Sequence, residues 1–194
     1  MKTRRELLTT TAYFPPANWV RAAADSAAWT LEGHENYQKK GWRNRCRIIG
    51  PNGPVLLSVP LAKGAHQQQP IREVQIAYDQ AWHRDHVRSI RTAYGRAPYF
   101  EYYAEELFAV LENRPETLWE LNRQLLDVLL RQLQLPVTLA VTEDYRPQTP
   151  TDLPNLLPYP QVFTERHGFV PELSILDALF CLGPAFGQAP VAAD

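Results

Sequence analysis

The stretch YQKKGWRNRCRIIGPNGP, residues 37–54, decides how the chain is read, because an alternating basic run ends there in a turn signal. Its last residues, GPNGP, supply Gly and Asn for a tight reversal, and VLLSVPL returns beyond it until Pro60 interrupts. The pattern predicts an antiparallel hairpin from about Arg43 to Pro60. On its first strand Arg43, Arg45 and Arg47 alternate with Asn44, Cys46 and Ile48, so one face carries three guanidiniums. With Lys39 and Lys40 the stretch holds five cations and no carboxylate, in a chain whose formal net charge is −1. Such a row is tolerated when water, neighbouring acids or an anionic ligand compensates it. Arginine suits the last case because its planar fork binds carboxylate or phosphate through two parallel bonds. A charge-protected edge strand explains the same pattern, and both readings stand at this point.

Upstream, AYFPP (residues 12–16) reads as a strand closed by Pro15 and Pro16, followed by a helix through WVRAAADSA and a strand through AWTLEGH. Strand, helix, strand is a βαβ unit, whose first loop commonly opens onto a ligand site. The hairpin is expected to join a mixed sheet with the AYFPP strand, since two strands alone are marginal in water. Downstream, the polar loop AKGAHQQQ leads to IREVQIAY, a further strand by its imperfect alternation. AWHRDHVRSIRTAYG carries Trp82, His86, Ser89, Ile90 and Ala93 on one helical stripe and ends at Gly95. Two more helices follow, separated by Pro115 and closed by Pro136, then a returning strand in VTLAVTEDY. RPQTPTDLPNLLPYP is an extended arm, and PELSILDALFCLGP is a last helix with Ser174 and Asp177 as its capping pair. The expected fold is mixed α/β: a central mixed β-sheet with a β-hairpin and packed helices, in one compact domain over residues 12–186. Residues 1–11 are expected to lack order and 187–194 to form a tail.

At 194 residues and 45% hydrophobic composition the chain can bury a substantial core as one globular domain. No apolar run approaches the roughly twenty residues of a membrane span, and the start MKTRRELLTTTAYFPP lacks a long apolar segment, so a cytoplasmic location is expected. Cys46 and Cys181 make neither a disulfide framework nor a zinc site. The near-neutral balance argues against nucleic acid as a partner and leaves a small anionic ligand, a sugar phosphate or nucleotide sugar.

His83 and His86 lie three apart on the predicted helix and are the catalytic candidates, because imidazole titrates near neutrality. A metal would need a third ligand that the pattern does not supply, so none is assigned, and no cofactor is identified. No Gly-x-Ser-x-Gly elbow, Walker loop or Gly-x-Gly-x-x-Gly is present. Tyr13, Tyr37, Gln38, Lys39, Trp42, Arg43, Asn44 and Arg45 are the substrate-binding candidates: rings stack on a sugar or base while guanidiniums hold its phosphates. Arg43 and Arg45 are expected to converge with at least one of His83, His86 and Tyr37 on one pocket.

Taken together, AYFPP followed by Trp19, the basic block, WHRDHVRSIRTAYGRAPYFEYY and YPQVFTERHGFVPELSILDALFCLGP resemble the WbqC-like family, from about Ala12 to Pro184. The RNR, AY-x-x-AP-YF and LSI-x-D-x-LF-x-x-GP blocks are specific in combination. Longer members carry an added segment before the Tyr-x-Gln-x-Phe block, where this chain has only residues 146–158. The resemblance implies a bacterial protein of O-antigen and other surface-polysaccharide gene clusters, with acyl or aminoacyl transfer, glycine included, to a sugar-phosphate or nucleotide-sugar acceptor. The rival expectation is a non-catalytic ligand-binding or assembly protein of the same system, and a weaker one is a nucleotide-binding α/β module.

Overall fold

A computed structural model describes residues 6–63, 68–147 and 153–192. In chain order the elements are β1 (Glu6–Thr9), α1 (Ala17–Ala24), β2 (Ala28–Leu31), β3 (Arg45–Gly50), β4 (Gly53–Ser58), α2 (Trp82–Tyr94), α3 (Phe100–Glu112), α4 (Leu118–Gln132), β5 (Thr138–Val141), α5 (Thr164–His167) and α6 (Ile175–Leu182). β1, β2 and β5 form a parallel sheet with β2 in the centre, and β3 and β4 form a separate antiparallel pair. The architecture is mixed α/β, as the sequence pattern implies, with β1, α1 and β2 supplying the βαβ unit.

The local causes are legible. β3 and β4 pair from Arg45 opposite Ser58 to Gly50 opposite Gly53, and Gly53 takes the positive φ of +116° that the reversal needs. Cys46 and Ile48 are buried while Arg45 and Arg47 are half-buried, which is the expected alternation. α2 turns Trp82, His83, His86, Ile90, Ala93 and Tyr94 inward at 3,4 spacing and leaves Arg84, Asp85, Arg88 and Arg91 outside. Thr117 opens α4 with a capping box, its side chain accepting from the Glu120 amide at 3.2 Å. One continuous apolar core joins these elements through Tyr94, Phe100, Phe108 and Phe180.

Four expectations need correction. The first strand is Glu6–Thr9, inside the stretch expected to lack order, and AYFPP is a loop; residues 1–5 lie outside the described residues. Phe14 sits at φ 43°, and Pro15 and Pro16 have no amide to donate, so AYFPP cannot extend a ladder. The hairpin therefore stays out of the parallel sheet and is tied to the chain by single bonds, Tyr13 N donating to Trp42 O at 2.9 Å and Ser174 N to Arg47 O at 2.8 Å. IREVQIAY is no strand: Ile71–Glu73 is a 3₁₀ turn, and Gln75 and Ile76 make isolated bridges to Thr117 and Leu61. Ser174 does precede α6, but its hydroxyl caps nothing and Asp177 is wholly buried.

The expected tail is packed over its described part. Gly183–Gln188 is a 3₁₀ turn, and the Ala189 carbonyl accepts from Arg21 Nε at 2.9 Å. Residues 64–67 of the polar loop, 148–152 of the Pro-rich arm and 193–194 lie outside the described residues. Among those described, no helix is long and apolar enough to cross a membrane.

Candidate functional site

The basic stretch separates into unlike parts. Arg43, only 6% exposed, donates from Nε at 2.9 Å and Nη2 at 2.6 Å to the two carboxylate oxygens of Glu35, and from Nη1 to Lys40 O at 3.2 Å. That is a buried, bidentate pair, which commits three of the five guanidinium N–H groups within the protein. Arg47 reaches the backbone carbonyls of Pro171 and Glu172 at 2.9 and 3.1 Å. Arg45 is half-buried and has no ion pair among the described residues. Tyr37 is buried beside them: burial pushes its phenol up, while Arg45 and Arg43 pull it down. Gln38 and Lys39 are exposed, Trp42 is half-buried, and Asn44 Nδ2 donates to Val59 O at 3.0 Å.

The two histidines part company on α2. His86 faces inward, edge-on to Trp82 at 5.0 Å, with Nδ1 2.8 Å from the Tyr13 hydroxyl. Burial pushes His86 down to about 4 and Tyr13 well up, so near neutrality the phenol keeps its proton and the imidazole is uncharged. Tyr13 is then the donor and Nδ1 the acceptor, with the ring proton on Nε2, which the Ser58 backbone favours. This pair ties the loop after β1 to α2 and the hairpin.

His83, about one turn earlier on the same side of α2, is among the walls of a cleft of about 570 Å³ at the start of the helix, with Tyr78, Asp79, Arg84, Glu112 and Arg114. Its ring stands edge-on to Tyr78 and Trp82 at 6.0 and 5.9 Å, and its buried Nδ1 has no hydrogen-bond partner among the described residues. Burial lowers its pKa, and the guanidiniums of Arg114 and Arg84 lower it further. Arg114 lies over the Tyr78 ring at 4.6 Å and holds a φ of 52°, a conformation that Gly adopts without strain. Burial pushes Tyr78 up to about 12, so its hydroxyl stays protonated and donates to Pro115 O at 2.9 Å. The cleft thus presents an imidazole of lowered pKa beside two guanidinium and two carboxylate side chains. Arg43 and Arg45 are not among its walls.

Arg84 and Arg114 escaped the sequence reading because they stand singly, outside any basic run; the adjacency of Arg84 to His83 was the available signal. Asp177 is expected from the sequence as half of a capping pair, and its burial is not foreseen. A lone carboxylate inside the apolar run ILDALF was its signal. Its Oδ2 accepts from the Tyr159 hydroxyl at 2.7 Å and from Gln161 Nε2 at 2.9 Å, and burial raises its pKa to about 6 against those donors. Neither thiol offers a nucleophile: burial pushes Cys46 up, and Cys181 up to about 12. Among the described residues no cluster of three His, Cys, Asp or Glu stands ready for a metal ion.

The model of the WbqC-like protein family matches residues 11–157. An uncharacterized protein of Mycobacterium tuberculosis, Rv1507c, is 34% identical over 110 residues, which are 56% of this chain and 47% of that relative. The chain therefore spans about half the length of the curated relative it matches. No solved structure matches.

Proposed function

The chain belongs to the WbqC-like protein family, and from that premise we propose that it is a group transferase, moving an acyl or aminoacyl group, glycine included, to a sugar-phosphate or nucleotide-sugar acceptor in surface-polysaccharide synthesis. The observation that carries this reading is the imidazole of His83, its pKa lowered by burial and by Arg114 and Arg84, among the walls of a cleft bearing both arginines. The acceptor hydroxyl or amine attacks the acyl carbonyl, His83 takes its proton, and the carrier departs as that proton is returned to it. Arg84 and Arg114 hold the acceptor's phosphate, and Asp79 or Glu112 faces an ammonium on the transferred group.

The test is mass-spectrometric detection of transfer with nucleotide sugars and acyl or aminoacyl donors, beside thermal shifts with the same acceptors. His83→Asn is expected to lower transfer by roughly 100- to 10,000-fold while the acceptor's thermal shift persists. Arg114→Ala is expected to remove the shift. Transfer at the wild-type rate by His83→Asn would overturn the base assignment. The rival reading, a ligand-binding or assembly protein, is favoured by the inward-facing His86 and the protonated thiols; acceptor binding with no transfer from any donor would establish it.

A further inference from the structure

A larger cleft, about 690 Å³, lies at the far end of α2, walled by Pro51 of the hairpin tip, the end of α2 with the turn after it, and residues 160–163. From His83 to Arg91 the helix rises about 12 Å, so a small ligand in one cleft does not reach the other. The chemistry also differs. Arg91 and Arg96 are among its walls and no Asp or Glu is, whereas the first cleft has two of each sign. Arg91 is held by Glu105 at 2.6 Å and lies over the Phe108 ring. Arg96 is exposed and has no ion pair among the described residues. Ala93, Ala97, Pro98, Val162 and Phe163 make the remaining surface largely apolar.

One wall is preorganised from behind. The Asp177 carboxylate holds Tyr159 and Gln161, and Gln161 in turn brackets Val170, accepting from its amide at 2.8 Å and donating to its carbonyl at 2.9 Å. The Thr164 hydroxyl closes the turn around Val162 and Phe163, accepting from Gln161 N and donating to Gln161 O, both at 2.9 Å. His167 Nε2, 3.1 Å from Pro51 O, ties the same segment to the hairpin tip. Burying a carboxylate to fix a surface loop costs stability, and such expense is usual where a binding wall must keep its shape. Residues 160–163 also lie beyond the span matched by the family model.

We infer that this cleft is a second binding site, for a small amphipathic organic anion: a phosphate monoester whose head meets Arg96 and whose aliphatic body lies along Ala97, Pro98, Val162 and Phe163. It stands independently of the transferase reading, since it uses no residue of the His83 cleft. Isothermal titration with hexyl phosphate tests it, with hexanol, inorganic phosphate and hexylammonium as comparisons. Hexyl phosphate is expected to bind at least about tenfold more tightly than any of the three, the worth of one charge-assisted contact added to apolar burial. Arg96→Ala and Val162→Asp should each weaken it by about tenfold, and His83→Asn should leave it unchanged. Equal binding of hexyl phosphate and inorganic phosphate or hexanol overturns the proposal. So does full affinity in Arg96→Ala, whose exposed position leaves folding intact, or loss of affinity in His83→Asn.

Discussion

In the first half of α2 a tyrosine holds a buried histidine, and beyond the other end a tyrosine holds a buried aspartate. Tyr13 bonds to His86 at 2.8 Å and Tyr159 to Asp177 at 2.7 Å, yet burial moves the two partners in opposite directions, down to about 4 and up to about 6. Both shifts favour the uncharged form, since desolvation penalises whichever state carries charge. Their surroundings differ too. His86 joins three elements and stops there, whereas Asp177 supports the wall of an open cleft. A buried titratable group is therefore not by itself a reacting group; what it faces decides.

The largest expected effect comes from a buried ion pair, Arg43 with Glu35, in which burial raises the carboxyl's pKa against the pull of the guanidinium. Arg43→Ala leaves Glu35 without its partner and should cost about 3–5 kcal/mol, a fall in melting temperature on the order of 10 °C, measured by denaturant and thermal unfolding. A loss below 1 kcal/mol would show the pair to be solvated. Next come the two tyrosine-held groups, read by stability against pH. Between about 4 and 6.5 unfolded His86 binds more protons than folded His86, so its contribution rises with pH by up to about 3 kcal/mol. Between 3.8 and about 6 folded Asp177 binds more protons than unfolded Asp177, so its contribution falls with pH by a similar amount, about 3 kcal/mol. In the parent chain the slopes offset. His86→Gln should leave a profile that declines with pH, and Asp177→Asn one that climbs; slopes of the same sign in both variants would break the comparison.

The smallest effect is expected at Arg45, where Ala should change unfolding by no more than about 0.5 kcal/mol because no ion pair among the described residues is lost. If an anionic sugar nucleotide still stabilises Arg45→Ala fully, the anion site belongs to Arg84 and Arg114. Loss of that shift would bring the hairpin into the site.

What the sequence revealed follows the range of its signals. The hairpin, α2 and α4 announce themselves within a dozen residues, through GPNGP, a 3,4-spaced stripe and a Thr117–Glu120 box. β1 does not. ELLT is four residues long and is positioned by pairing with β2, so a nearby run with stronger β character drew the assignment. The basic stretch was counted correctly, but counting cannot tell that Glu35 folds back onto Arg43 while Arg45 is left without an ion pair among the described residues. The same holds for His83 and His86. Three residues apart, they point within about 60° of each other around the helix axis, and only the packing shows that His86 is taken up by Tyr13 while His83 lines the cleft.

The central place of β2 carries a consequence in time. Its partners on either side are β1, just before it, and β5; Glu32 at its end accepts from Thr142, 110 residues later. At roughly 5–20 residues per second, β2 waits on the order of 10 s on the ribosome with one edge unpaired, while the hairpin and α2 to α4 are made. The parallel sheet thus closes only after the hairpin and α2 to α4 have been made, with α6 still to follow and dock on α1 and α3, and its high sequence separation slows refolding. A chain stopped just before β5 would contain α1 to α4 but neither α5 nor α6, and would expose that edge to another copy of itself.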